Sequence, residues 1–144
     1  MDKPKKLGET MKKIAIMGFG VIGSGVYDVI TENADVIEKR LGESVEVKSI
    51  LDLREFPGHP ANDIVTKNID DIINDPEISV VVETMGGVEP AFTFEMRALS
   101  AGKHVVTSNK ELVESKGPEL FAAAKANGVN FFFEASVGGG IPII

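Results

Sequence analysis

Apolar positions in this chain alternate between two periodicities, and the alternation predicts a layered fold. Ile14, Ala15, Ile16 and Met17 form an uninterrupted apolar run that ends at a glycine, the pattern of a strand buried on both faces of a parallel sheet. Behind it, Val21, Val26, Val29, Ile30, Ala34, Ile37 and Leu41 recur at three- and four-residue spacing. That spacing predicts one amphipathic helix over 21–40, with Gly42 as its stop. Residues 45–51 read as a second strand, and Pro57, Gly58, Pro60 and Asn62 mark 52–67 as an exposed loop. A helical turn at 69–73 precedes Ile78-Ser79-Val80-Val81-Val82, whose β-branched side chains predict a strand. A helix over 89–100, a strand over 104–107, a helix over 111–127 and a strand over 129–133 complete the pattern, with Gly102 and Gly128 ending the two helices. Strands and helices in alternation, joined by short links, predict an α/β fold: a doubly wound, mostly parallel sheet with helices on both faces.

The first strand runs straight into Gly18-Phe19-Gly20-Val21-Ile22-Gly23, a G-x-G-x-x-G placed after a strand and opening a helix. Each glycine has a distinct task there. Gly18 permits the tight turn, Gly20 lets the backbone approach a pyrophosphate, and Gly23 lets the helix pack closely on the sheet. The helix start turns unpaired N–H groups and a positive dipole end toward the phosphates. The fold is therefore expected to be Rossmann-type, with residues 18–23 binding NAD or NADP. Asp52, after the second strand, can accept hydrogen bonds from the adenine ribose. It stands 29 positions beyond Gly23, where the usual interval is about 20. Arg54 can meet a 2′-phosphate instead, so the two side chains argue for opposite cofactors.

Composition narrows the partners. The 144 residues suffice for one compact domain, and 43% hydrophobic with 26% charged residues is ordinary for a globular chain. A net charge of −7 without a Lys/Arg stripe excludes a nucleic-acid partner. The absence of cysteine removes disulfides and thiol chemistry and agrees with a cytoplasmic location. No stretch approaches the roughly 20 apolar residues of a membrane span, and Lys3, Lys5 and Lys6 are not followed by a signal-type apolar run. Residues 1–11 read as a flexible leader, 12–133 as the dinucleotide-binding domain, and 134–144 as the start of a connection to a further domain.

Three later segments carry a resemblance. Glu83-Thr84-Met85-Gly86-Gly87 follows the strand at 78–82. Gly102-Lys103-His104-Val105-Val106-Thr107-Ser108-Asn109-Lys110-Glu111-Leu112 comes next. Glu134-Ala135-Ser136-Val137-Gly138-Gly139-Gly140-Ile141-Pro142-Ile143-Ile144 closes the chain. Taken in order at successive strand ends, they resemble the homoserine dehydrogenase family from about Lys12 to the last residue. Related sugar dehydrogenases usually continue G-K-H-V with E-K-P, whereas Asn109-Lys110-Glu111 stands here.

The resemblance implies reversible NAD(P)-linked hydride transfer between homoserine and aspartate 4-semialdehyde. It implies that Lys110 lies beside the nicotinamide ribose and the substrate, where an ammonium favours negative charge on the reacting oxygen; it could also transfer the proton if burial lowers its pKa. It further implies cofactor contacts at Thr84 and Ser108. A monovalent cation (Na+) would be held by Glu134 and the carbonyls of Val137, Gly139 and Ile141, oxygen ligands that suit a hard cation. A substrate and dimerisation domain beyond residue 144 would supply the small amino-acid site, a second lysine and the homo-oligomer contacts. A segment returning from it would complete the nucleotide-binding domain. These 144 residues alone are then expected to bind dinucleotide weakly and to have no turnover. Two other readings stand beside this one: another amino-acid or semialdehyde dehydrogenase, and a non-catalytic dinucleotide-sensing module. His104 reads as a packed structural histidine, His59 as carrying no metal signal, Phe131 to Phe133 as sheet core, and Asp70, Asp71, Asp75 and Glu77 as solvated surface.

Overall fold

The computed structural model describes residues 11–133. Six parallel strands form one sheet: β1 (Met11–Met17), β2 (Ser44–Leu51), β3 (Val65–Thr66), β4 (Ile78–Glu83), β5 (His104–Thr107) and β6 (Phe131–Phe133), in the order β3-β2-β1-β4-β5-β6. From β1 the chain winds outward through β2 to β3, then returns beside β1 with β4 and winds the other way. The strand order reverses between β1 and β4, so their carboxyl ends flank the crevice where sheets of this kind bind ligands.

Period-two alternation in β1 assigns the two faces. Ile14 and Ile16 point into a core with Phe19, Val47, Ile50 and Ala61, against Val26, Tyr27 and Ile30 of helix α1 (Val21–Glu32). Ala15 and Met17 point into the other core. That face is covered by α3 (Asp70–Ile73), α4 (Ala91–Ser100) and α5 (Lys110–Ala126) through Ile72, Leu99, Leu112 and Leu120, all 0% exposed. Helices on both faces of a parallel sheet are what the alternating pattern predicts. On the α1 face, Phe132 of the β6 edge stays 43% exposed among the described residues, so of the three phenylalanines expected in the sheet core this one is not buried, because it alternates away from the face that carries Phe131.

Two further expectations need correction. The single helix expected over 21–40 is two, because Asn33 leaves the helical region (φ −110°, ψ 23°) and α2 (Ala34–Leu41) starts afresh. The Asn33 side chain donates to the Val29 carbonyl at 3.0 Å, offering the backbone an alternative to a continued helix. The loop expected over 52–67 is partly ordered: a 3₁₀ turn (Pro60–Ile64) leads into β3, which adds a strand to the edge of β2. His59 caps that turn, its Nδ1 accepting from the Ala61 N–H at 3.0 Å. Sequence patterning misses β3 because two residues are too short to show a period.

Candidate functional site

Three loops meet at the carboxyl edge of the sheet: 18–20 after β1, 52–54 after β2 and 84–87 after β4. Hydrogen bonds continue the sheet ladder into them, Gly18 N to Leu51 O (2.8 Å), Asp52 N to Thr66 O (3.0 Å) and Thr84 N to Met17 O (2.9 Å). They enclose a cavity of about 560 Å³ lined by Gly18, Phe19, Gly20, Asp52, Arg54, Lys67, Thr84, Met85, Pro90 and Phe94 among others.

The glycines do what their positions require. Gly18 has φ +96°, a left-handed conformation that favours glycine. A Cβ on Gly23 would stand 2.0 Å from the Gly18 carbonyl oxygen and 2.9 Å from Thr84 Oγ1. A Cβ on Gly20 would meet nothing within 4 Å among the described residues and would project into open space there. Gly20 is also the residue before α1, and among the described residues no side chain caps that helix. A helix start without a side-chain cap, with free room beside it, fits a pyrophosphate.

Phe19, Val21 and Ile22 behave differently from one another. Val21 and Ile22 are 91% and 57% exposed, so the first turn of α1 offers backbone amides and apolar surface. Phe19 is only 4% exposed and is held by edge-to-face contacts with Tyr27, Phe56 and His59. This aromatic cluster fastens the 52–64 segment to the glycine loop. Nothing in the linear pattern announces it, because Tyr27, Phe56 and His59 lie 8, 37 and 40 residues beyond Phe19, the first in a helix and the other two in a segment that reads as loop.

Asp52 and Arg54 are partners in the structure, not rivals. Asp52 Oδ1 accepts from the Arg54 backbone N–H and from Arg54 Nε, both at 2.9 Å. Its Oδ2 accepts from Arg54 Nη2 at 2.9 Å and from the Phe19 N–H at 2.8 Å. Four donors fill the roughly four acceptor positions of one carboxylate. The Arg54 side-chain hydrogen bonds, followed by the backbone bonds from Arg54 and Phe19, hold the Asp52 carboxyl well below the usual range despite its burial. The Arg54 side chain stays 63% exposed, with its guanidinium 5.3 Å above the Phe56 ring.

Thr84 lines the cavity, and its hydroxyl also lies 2.9 Å from the Gly18 carbonyl, so it supports the glycine loop from below. Ser108 follows β5, its N–H reaching the Glu83 carbonyl at 3.4 Å. Lys110 opens α5 with its side chain 67% exposed and its Nζ 3.8 Å from Glu114 Oε1. Burial, the condition attached to proton transfer by this lysine, is not supplied by the described residues. The expected cation ligands Glu134, Val137, Gly139 and Ile141 lie outside the described residues, as do the connection at 134–144 and all of the leader expected over 1–11 except Met11, which opens β1.

Beneath the site lie buried polar groups whose roles are not visible in the linear sequence. Glu83 is 0% exposed, accepting from Met85 N (2.7 Å), Gly86 N (3.1 Å) and Thr107 Oγ1 (2.8 Å). Glu95 of α4 is also 0% exposed, and neither of its oxygens has a hydrogen-bond partner among the described residues. Burial first, and the charge of Glu83 second, push its carboxyl up to about 9. Lys103 is 4% exposed and donates to the carbonyls of Asp75 and Ile78, both at 2.7 Å, which makes it a tie between β5 and the turn before β4. His104 is structural, as expected, its Nδ1 accepting from Asn130 N at 3.0 Å. No helix of the described residues is long and apolar enough to cross a membrane.

Comparison with known proteins meets this geometry from the outside. Residues 18–134 match the family model described as the homoserine dehydrogenase NAD-binding domain. Homoserine dehydrogenase of Pseudomonas aeruginosa is 42% identical over 133 residues, and that of Bacillus subtilis 40% identical over 135, each alignment covering 92% of this chain. Both alignments cover 31% of the relative, so the chain spans about a third of the length of the curated relatives it matches. The crystal structure of Staphylococcus aureus homoserine dehydrogenase at pH 8.5 superposes with a TM-score of 0.84 at 37% identity, covering 92% of this chain and 34% of that one. Fold, glycine loop and family match agree, and the chain belongs to the homoserine dehydrogenase family through that family's NAD-binding domain.

Proposed function

We propose that the chain serves as the dinucleotide-holding part of a homoserine dehydrogenase, in which NAD(P) exchanges hydride with homoserine and aspartate 4-semialdehyde. One observation carries the reading: the open room over Gly20, at the uncapped start of α1, where the strand order reverses. The dinucleotide supplies the hydride chemistry when bound. The chain's own residues bind and orient. Amides at the start of α1 receive the pyrophosphate, the β2 side receives the adenosine half, and the nicotinamide end then extends toward the loops after β4 and β5. Lys110, at that side, offers its ammonium to the ribose and to charge on the reacting oxygen. A substrate domain beyond residue 144 provides the amino-acid site and the homo-oligomer contacts, a Na+ ion binds near Glu134, and the enzyme works in the cytoplasm.

The same geometry favours NADP over NAD. Asp52 has no acceptor position left for ribose hydroxyls, because Arg54 and Phe19 occupy all four. Arg54 and Lys67 both line the cavity on that side and suit a 2′-phosphate. The chain is therefore expected to bind NADP+ more tightly than NAD+ in an NMR titration. Arg54→Ala is expected to weaken NADP+ roughly tenfold while moving NAD+ little, given the strength of charge-assisted bonds to phosphate. A wild-type preference for NAD+, or equal losses for both cofactors, contradicts this assignment.

A further inference from the structure

Thr107, Asn109 and Glu83 form a buried relay that belongs to no binding contact described above. Thr107 and Asn109 are 1% and 5% exposed. Thr107 Oγ1 donates to Glu83 Oε1 at 2.8 Å and accepts from the Asn109 N–H at 3.0 Å. Asn109 then works in two directions. Its Oδ1 caps α5 by accepting from Leu112 N at 3.0 Å, and its Nδ2 donates to the Gly87 carbonyl at 2.5 Å. Glu83, at the other end, grips the same loop through Met85 N and Gly86 N. The loop after β4 is thus held at three successive residues, two by Glu83 and one by Asn109. It carries two glycines at positive φ, Gly86 (80°) and Gly87 (74°), a backbone that needs outside restraint to keep one shape.

We propose that Asn109, seated by Glu83 through Thr107, is a positioning residue that clasps the loop after β4 to the start of α5 and so fixes Lys110 and the nicotinamide end relative to each other. This rests on the dinucleotide reading given above. The clasp stands on the β4–β5 side, away from the Asp52–Arg54 side that receives the adenosine half. Its loss therefore acts on one half of the ligand only. A relay of bonds to buried, fully engaged groups also sets one rotamer for Asn109, which is the basis for holding a neighbour in place.

The test is the Asn109→Asp variant of this chain, titrated by NMR with NADP+ and separately with 2′,5′-ADP, which lacks the nicotinamide half. Aspartate keeps the cap on Leu112 and removes the donor to Gly87, so α5 is retained. NADP+ is expected to weaken about tenfold, the effect of one lost buried hydrogen bond, while 2′,5′-ADP stays within about twofold. Thr107→Val is expected to give the same split and Thr107→Ser to restore wild-type behaviour, which a general loss of packing does not do. Equal losses for both ligands, or no loss for either, overturn the proposal. A wild-type chain that binds neither ligand overturns the dinucleotide reading itself and this proposal with it.

Discussion

Gly23→Ala is expected to destabilise the domain by ~3 kcal/mol or more, the upper range for inserting a methyl group into a filled site, and to weaken dinucleotide binding roughly 100-fold. Helix propensity alone argues the other way, since alanine in α1 is favoured over glycine by about 1 kcal/mol. The contact decides. A Cβ at this position meets the Gly18 carbonyl oxygen at 2.0 Å, and that oxygen belongs to backbone, not to the end of a flexible side chain. Gly18 cannot retreat freely, because its N–H is bonded to Leu51 O and its carbonyl receives the Thr84 hydroxyl. The helix must then lift from the sheet, carrying away the amides that face the phosphates. Urea unfolding and an NADP+ titration measure the two effects. Wild-type stability in Gly23→Ala contradicts the packing geometry.

The second large effect is a pH dependence that Glu95→Gln abolishes. Glu95 has its carboxyl raised to about 9 from an ordinary 4.5. A carboxyl raised in the folded state holds its proton there while the unfolded chain has already released it. Its contribution is complete below pH 4.5 and is lost as pH climbs toward 9. The slope is about 1.4 kcal/mol per pH unit for one fully shifted group, so stability is expected to fall by ~3 kcal/mol between about pH 6 and 8. Asp52, Asp75 and Glu77 are shifted downward and act only in acid, outside this window. Glutamine carries no proton to lose, so the variant's profile is expected to be flat over the same range and to lie above wild type at pH 8. Urea midpoints across that range give the answer. A flat wild-type profile, or a sloping one in Glu95→Gln, contradicts the buried-acid assignment.

How much of this was legible in the sequence follows from how local each signal is. The glycine loop is six consecutive residues between a strand and a helix, so its turn, its close packing and its open face could be read directly. The layered parallel sheet follows from alternation, but its strand order does not, because the same alternation suits more than one doubly wound order. Asp52 and Arg54 were readable as candidates but not as a pair, because two residues apart in sequence says nothing of whether their side chains meet. The helix break at Asn33 was hidden under apolar spacing that continues across it. Glu95 left a trace: with Ala91, Ala98 and Leu99 it falls at i, i+4, i+7 and i+8, one face of a helix, and a carboxyl on that face signals burial. The clasp of Glu83, Thr107 and Asn109 left none, since it depends on two loops brought together by the pairing of β4 with β5.

The central claim is that a dinucleotide pyrophosphate rests against the backbone at Gly20, and Gly20→Ala tests it most directly. The new methyl group meets no atom of the described residues within 4 Å, so thermal stability is expected to match wild type. It stands where the phosphates approach, so the NADP+ shifts of the 18–23 amides in an NMR titration are expected to disappear. Gly20→Ala binding NADP+ as the wild type does, with the same amides shifting, contradicts the account.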